Sequence, residues 1–263
     1  MLRALAVTVI AFSVSAPAFA DVTIKQTTTG KGLGMSGTTS GVTYIKGSKM
    51  RTDSAIGDKT QSVIFDLDAQ KMYSFDSKKK DADVFDMAAF AQEISANVDT
   101  ANMKVSFKPN GQTKEIAGKS ATGYDVEVAV PAALGGNKEM SMTMTLSGPT
   151  WIVKGAPGTA DYARFYKAAV EKGWIFTDPR AAKASPGQAK AMAEMYKQLA
   201  EAGGIAYETD IQMKMGGASG PMAGVFAKLG NVSFATKVDN VEVGTLADDL
   251  FAPPAGYKLT TKK

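Results

Sequence analysis

Alternation of apolar and polar side chains is the feature that most constrains the fold of this 263-residue chain. The segment IAYETDIQMKM, residues 205–215, places apolar side chains or a threonine at every second position, and Glu208, Asp210, Gln212 and Lys214 lie between them. The segment SVIFDLDAQKMYSFD, residues 62–76, joins two such runs by a polar turn, and GKSATGYDVEVAV, residues 118–130, alternates again. Strands of this kind are typical of an antiparallel sheet covered on one side only. The sequence therefore predicts such a sheet.

Four other segments have the spacing of an amphipathic helix. They follow a candidate N-cap at Asp86, run from Thr159 to Gly173, begin at Ser185-Pro186-Gly187-Gln188, and lie between Pro221 and Gly230. Helices with one apolar face, placed between strands, are most simply accommodated on the concave side of a single curved sheet. We predict one α+β domain over residues 21–263, with an antiparallel sheet wrapped around amphipathic helices.

The first twenty residues, MLRALAVTVIAFSVSAPAFA, have the layout of a cleaved secretory signal. A positive charge at Arg3 precedes an apolar run from Ala4 to Val14, and the segment ends in Ala18-Phe19-Ala20. The apolar run is too short to span a bilayer. We therefore expect residues 1–20 to be removed and the soluble mature protein to begin at Asp21, in the periplasm of a Gram-negative bacterium.

The absence of histidine and cysteine from the chain excludes several kinds of chemistry. Serine–histidine and cysteine–histidine nucleophile pairs are impossible, and most zinc sites lack their ligands. The formal net charge is +4, and the charged side chains are interspersed rather than gathered into a basic stripe. This pattern argues against nucleic-acid binding and allows a transient contact with anionic lipid headgroups. We expect a monomeric, non-enzymatic protein without a cofactor.

Methionines occupy every second position of EMSMTMTL, residues 139–146. Successive thioethers on one strand lie about 6.5 to 7 Å apart, so a single Cu(I) ion would need further methionines from a facing strand. Met213 and Met215 supply them if the two strands are neighbours, a question that the sequence leaves open. Core packing and the wall of an apolar cavity are the other interpretations. We favour the wall, because methionine adapts its shape to varied apolar partners.

The predicted ligand site has two parts. The cavity wall consists of residues from alternating strands: Tyr124, Val126, Val128, Met140, Met142, Met144, Leu146, Ile211, Met213 and Met215. The lid consists of residues from the apolar faces of two helices: Tyr162, Phe165, Tyr166, Met222 and Phe226.

Three stretches carry a resemblance to a known family. They are YIKGSKMRTD with VIFDLDAQKMYSFDSKKK between Tyr44 and Lys80, GGIAYETDIQMKM from Gly203, and LADDLFAPPAGYKL from Leu246. They resemble an uncharacterised family of exported proteins, a domain of unknown function related to the LolA and RseB group. The resemblance implies an unclosed half-barrel around helices, with a hydrophobic cavity that in LolA carries the acyl chains of lipoproteins. It also implies that Arg51 helps to hold the helical lid.

Together these features predict a periplasmic carrier or binding protein for a lipid, a lipidated protein or another hydrophobic ligand. One alternative is an envelope module of the RseB type that binds or senses a protein partner while its own helices fill the cavity. Another alternative is Cu(I) binding through Met140, Met142, Met144, Met213 and Met215.

Overall fold

The computed structural model describes residues 20–32, 35–96, 103–133, 141–174, 186–216 and 232–262, together with residues 176, 179 and 182. The predicted signal at residues 1–20 and the predicted fourth helix therefore lie outside the described residues, apart from Ala20. None of the described helices is long and apolar enough to cross a membrane.

In the described part of the chain, twelve strands form one sheet. The first six are β1 (Asp21–Gly32), β2 (Met35–Lys46), β3 (Lys49–Ile56), β4 (Lys59–Asp66), β5 (Lys71–Asp76) and β6 (Asp81–Asp86). The next five are β7 (Lys104–Ile116), β8 (Lys119–Ala133), β9 (Ser141–Val153), β10 (Ile205–Gly216) and β11 (Val232–Gly244), and the last is β12 (Lys258–Lys262). The polar turn predicted between the runs of residues 62–76 joins β4 to β5 and is confirmed.

The strand order is β12-β6-β5-β4-β3-β2-β1-β11-β10-β9-β8-β7. Pairing of β1 with β11 joins two antiparallel meanders into one sheet, and β12 adds to β6 in parallel. The terminal strands of this order, β12 and β7, do not pair with each other in the described part of the chain, so the sheet is unclosed. The predicted α+β fold, an unclosed and mostly antiparallel sheet, is confirmed.

Three α-helices are described: α1 (Met87–Ala96), α2 (Thr159–Glu171) and α3 (Pro186–Ala202). The Asp86 carboxylate accepts the Ala89 backbone N–H at 3.0 Å and caps α1, as predicted. Gly173 follows α2 with φ +73°, a left-handed conformation that ends helices. Pro186 is the first residue of α3, where its missing N–H costs no helical hydrogen bond.

The helices pack on one face of the sheet, which we call the inner face. Helix α2 contacts β1, β2 and β10, α3 contacts β7 and β8, and α1 contacts β6 and α3. A row of buried apolar side chains runs across the inner face of the first six strands, each residue directly opposite the next in the register. This apolar row is Val22, Ile45, Met50, Phe65, Met72 and Phe85.

The outer face of β3 to β6 is also covered, and the prediction of a sheet with one wet face is wrong there. Residues 246–262, which we call the C-terminal strap, run from the end of β11 past these strands to β12. Ile64, Phe75 and Ala82 form a buried cluster with Tyr73 and Tyr257. The strap covers apolar side chains that local alternation had placed towards water.

Candidate functional site

A cavity of about 380 Å³ lies between the inner face and helices α2 and α3. Its described lining residues come from seven strands, two helices and the segment after α2. They are Ile24, Gln26, Thr43, Met50, Thr52, Val63, Phe65, Met72, Tyr162, Tyr166, Phe176, Tyr196, Ile205, Ala206, Thr209, Thr236 and Val238. Its volume falls within the range of small-molecule sites, which are about 300 to 1,000 Å³.

Aromatic rings form the helical side of the cavity. Tyr166 of α2 stacks on Tyr196 of α3, with 5.6 Å between ring centroids and 18° between planes. Phe176 contacts both tyrosines and meets Phe65 of the sheet edge to face at 5.3 Å. One face of α2 is buried in the interior, as the helical spacing of its buried residues shows: Tyr162, Phe165, Tyr166 and Ala169. Two amphipathic helices thus meet over the cavity through aromatic rings.

The hydroxyl groups on this side are protonated at neutral pH. Burial raises the pKa of Tyr162 and Tyr166 well above the usual value for tyrosine, and the two side chains share a hydrogen bond. Burial raises the pKa of Tyr196 as well. These tyrosines therefore offer neutral hydroxyl groups beside an apolar surface.

A row of threonines crosses the inner face of β2, β1, β11, β10 and β9. These residues, directly opposite one another in the register, are Thr39, Thr28, Thr236, Thr209 and Thr150. The hydroxyls of Thr28 and Thr236 lie 3.0 Å apart. Along β1, Val22 of the apolar row and Thr28 are six residues apart, which is about 20 Å of strand. The cavity touches both rows, so its lining passes from apolar to polar along the strands.

Most of the predicted wall residues form part of the packed core under α3. Val126, Val128 and Met144 are buried with Ala191 of that helix, and Leu146, Ile211, Met213 and Met195 pack against them. Tyr124 is buried with Ile152 and Leu199. None of the predicted wall residues is among the described lining residues of the cavity. A wall role for these residues stays a prediction.

The structure answers whether the methionine strands are neighbours. Strands β9 and β10 pair antiparallel, with Met144 opposite Met215 and Leu146 opposite Met213. Met215 is 37% exposed, whereas Met144 is buried. Met140 lies outside the described residues, and of Met142 only its place in β9 is described.

The predicted lid residues of α2 lie at the cavity. Tyr162 and Tyr166 line it, and Phe165 is 1% exposed and packs against Tyr166 and Phe176. Met222 and Phe226 lie outside the described residues.

Arg51 is placed on the outer face, because its neighbours Met50 and Thr52 point into the cavity. Its guanidinium donates to the Leu250 carbonyl at 3.0 Å and pairs with Asp53 at 2.8 Å. It also lies over the Phe75 ring, 5.6 Å from the centroid. Its described partners thus belong to the sheet and to the C-terminal strap, where Leu250 lies in a short 3-10 helix (Asp248–Phe251), and not to α1, α2 or α3.

Sequence reasoning missed the polar half of the cavity. Gln26, Thr43 and Thr52 line the cavity from β1 to β3 and are not part of the predicted site, which follows apolar alternation. Alternation predicts that Ile205 and Ala206 point to opposite faces, whereas the register shifts between Ala206 and Glu208, and both residues line the cavity. The available signal is the segment VTIKQTTT, residues 22–29, in which Gln26 and Thr28 continue the every-second-residue pattern of Val22 and Ile24.

A second, shallower depression of about 500 Å³ has a different character. It contains Lys114 and Glu208, which form an ion pair, and Trp151, whose ring lies 4.4 Å from the Lys114 ammonium. Lys237, Asp210 and Asp239 also line it. Within the described residues, no group of three or more histidine, cysteine or carboxylate side chains is arranged to hold a metal ion.

Comparison with known proteins gives matches in structure only. No protein-family profile and no curated protein sequence match the chain. The fold resembles a LolA superfamily protein from Nitrosomonas europaea (5% identity, TM-score 0.30), covering 89% of this chain and 91% of that one. It also resembles a DUF1329 family protein from Desulfovibrio piger (9% identity, TM-score 0.31), covering 90% and 91%. The predicted likeness to LolA-type proteins and to a domain of unknown function is thus found.

A structure of PNGF-II matches over 92% of this chain, with 11% identity and a TM-score of 0.37. This chain spans about a third of the PNGF-II chain, 31% of its length. All these likenesses concern the general arrangement of sheet and helices, and the proposal below rests on the cavity.

Proposed function

We propose that this protein is a non-enzymatic binding protein or carrier that shelters the hydrocarbon part of a lipid, a lipidated protein or a similar ligand in the cavity under α2 and α3. The observation that carries the proposal is the cavity itself. Met50, Phe65 and Met72 of the apolar row form one side, and the rings of Tyr166 and Phe176 form the other. The periplasm is the proposed location, because the leader has the layout of an export signal.

The energetics of such a cavity favour a hydrocarbon chain. Burial of each methylene contributes about 0.8 kcal/mol, so ten methylenes contribute about 8 kcal/mol before ordering costs. That gross gain corresponds to micromolar binding. Nothing more than a sheltered apolar surface is needed, and α2 and α3, which meet through side-chain rings, are suited to act as a movable lid.

The first test uses native mass spectrometry on mature protein purified from its own periplasm without detergent. We expect extra mass that dissociates as a lipid or lipopeptide. A bare protein that copurifies with a stoichiometric protein partner would instead support an interaction or sensing module.

A matched pair of variants then locates the site. Thr43 lines the cavity from β2, and its neighbour Val42 points to the opposite face. Thr43→Phe should fill the cavity and weaken binding of a neutral apolar dye, Nile red, by about tenfold or more. Val42→Phe adds a ring of the same size on the opposite face of the sheet and should leave dye binding unchanged. Equal binding by both variants and the native protein would contradict the assignment of the cavity.

The register of β9 and β10 favours a second candidate function, Cu(I) binding. Because Met144 and Met215 lie directly opposite each other, with Met213 on the same face, thioethers from two strands share one area. Soft thioethers suit Cu(I). Replacing Met140, Met142, Met144, Met213 and Met215 by leucine should abolish Cu(I) uptake and leave dye binding intact. Retained copper binding in that variant would reject this function.

A further inference from the structure

The described lining of the cavity under α2 and α3 contains no aspartate, glutamate, lysine or arginine. Charged side chains occur in the same strands but point the other way. Lys25 lies between Ile24 and Gln26, and Arg51 and Asp53 flank Thr52. Lys25 pairs with Glu242 and Arg51 with Asp53, so these charges are also satisfied outside the cavity.

Polar groups in the lining are nevertheless numerous and are all neutral. Gln26, Thr43, Thr52, Thr209 and Thr236 contribute one amide and four hydroxyls. Such groups can both donate and accept hydrogen bonds. They can therefore satisfy a carbonyl, an amide or a hydroxyl of a ligand, but they cannot neutralise a formal charge.

The arrangement of these groups matches an amphiphile. The apolar row supplies Met50, Phe65 and Met72, whereas the threonine row supplies Thr209 and Thr236. A hydrocarbon chain that starts at the apolar row and runs along the strand direction would bring its polar end towards the threonines. An unpaired carboxylate in the same place would lose its hydration without gaining a counter-ion, which is far more costly than burying a hydrogen-bonded amide.

We infer that the cavity selects a neutral amphiphile: a hydrocarbon chain whose buried polar group is an uncharged ester, amide or hydroxyl. Any charged headgroup stays outside the cavity. This inference rests on the proposed function and specifies the chemical class of the ligand.

The experiment compares two ligands with the same hydrocarbon chain, the neutral dodecanamide and the anionic dodecanoate, as competitors of Nile red at pH 8, below the solubility limit of the amide and the micelle concentration of the anion. We expect the amide to displace the dye at a concentration at least about tenfold lower than the anion. Failure of both ligands to displace the dye would reject binding at this cavity. Displacement by dodecanoate as strong as that by the amide would reject selection for neutral ligands while leaving the binding function intact.

Two variants test the cause of the selectivity. Gln26→Lys introduces a cation into the lining and should shift the preference towards dodecanoate by about tenfold or more. Lys25→Gln removes a charge from the opposite face of the same strand and should leave the ratio of the two affinities unchanged. The Gln26→Lys variant must still bind Nile red for this comparison. If its ratio of affinities for dodecanamide and dodecanoate equals that of the native protein, the charge of the cavity does not determine the preference for the neutral ligand.

Discussion

Arg51 makes three kinds of contact on the outer face of the sheet, and one of them reaches the C-terminal strap. Its guanidinium bonds to the Leu250 carbonyl, forms an ion pair with Asp53 and lies over Phe75. The side chain of Arg51 is only 16% exposed. Several directed hydrogen bonds from one planar group are a property of arginine that lysine does not share.

We predict that Arg51→Ala lowers the free energy of unfolding by about 1–3 kcal/mol, because it leaves the Leu250 carbonyl and Asp53 without their partner. Limited proteolysis should cut the strap faster in this variant, as followed by mass spectrometry. Arg51→Lys should restore only part of the loss. If proteolysis instead becomes faster at α2 or α3 and the strap remains protected, Arg51 acts on the helical lid, as the family resemblance implies.

The buried tyrosines make the protein sensitive to alkaline pH. Tyrosines of the unfolded chain lose protons near pH 10, whereas burial raises the pKa of Tyr162 and Tyr166 in the folded state. Above pH 10 the unfolded state therefore binds fewer protons, and stability that is present below this pH is lost as the pH rises. Each such group lowers the unfolding free energy by up to about 1.4 kcal/mol per pH unit.

Urea unfolding of the native protein and of the Tyr162→Phe/Tyr166→Phe variant, between about pH 9 and pH 11, measures this effect. The variant should show a shallower decline of unfolding free energy above pH 10. Lysine titration is common to both proteins and cancels in the comparison. Identical slopes would mean that the two hydroxyls ionise as freely in the folded state as in the unfolded chain.

At the scale of elements, β9 and β10 approach closely at a glycine. A Cβ at Gly148 of β9 would overlap the backbone carbonyl oxygen of Asp210, which cannot rotate away as a side chain can. Gly216, at the end of β10, has open space around the same position. The two glycines therefore form a matched pair for one substitution.

We expect Gly148→Ala to destabilise the protein by about 1–3 kcal/mol through forced displacement of the β9–β10 pair. Gly216→Ala should change stability by less than about 0.5 kcal/mol. Chemical denaturation measures the free energy of unfolding of the two variants and of the native protein. Equal stabilities would show that the strands can separate at Gly148 without cost.

Elements with a regular local pattern were predictable from the sequence, and their packing partners were not. The β4–β5 hairpin and the cap at Asp86 depend on residues a few positions apart, so local chemistry determines them. The cavity depends on which strands become neighbours, because Thr236 and Val238 join Gln26 in its lining only when β11 pairs with β1. The register shift after Ala206 is a further local irregularity without a clear residue signature.

At the scale of the whole molecule, the two edges of the sheet are protected in different ways. Strand β7 has one described neighbour, and it carries Lys104, Lys108 and Pro109 with a register irregularity after the proline, all features that discourage pairing with another chain. At the other edge, β12 pairs in parallel with β6 and becomes the terminal strand, and this strand is short, with Lys258 and Lys262 at its ends. The C-terminal strap therefore covers an outer apolar cluster and also pairs with β6, which would otherwise be the terminal strand.

Removing residues 258–263 separates these two functions of the strap, because Tyr257 and its contact with Phe75 at 5.6 Å are retained. We expect the native chain to be monomeric and the shortened chain to associate as its concentration rises, since the backbone groups of β6 lose their partners. Size-exclusion chromatography with light scattering gives the mass of each.

Leu259→Lys is the matched control, because Leu259 is 55% exposed and this change keeps the strand while removing its apolar side chain. It should remain monomeric. If the shortened chain is also monomeric at every concentration, β12 contributes to the fold without protecting the edge. If Leu259→Lys associates to the same extent, the side chain and not the paired backbone is responsible.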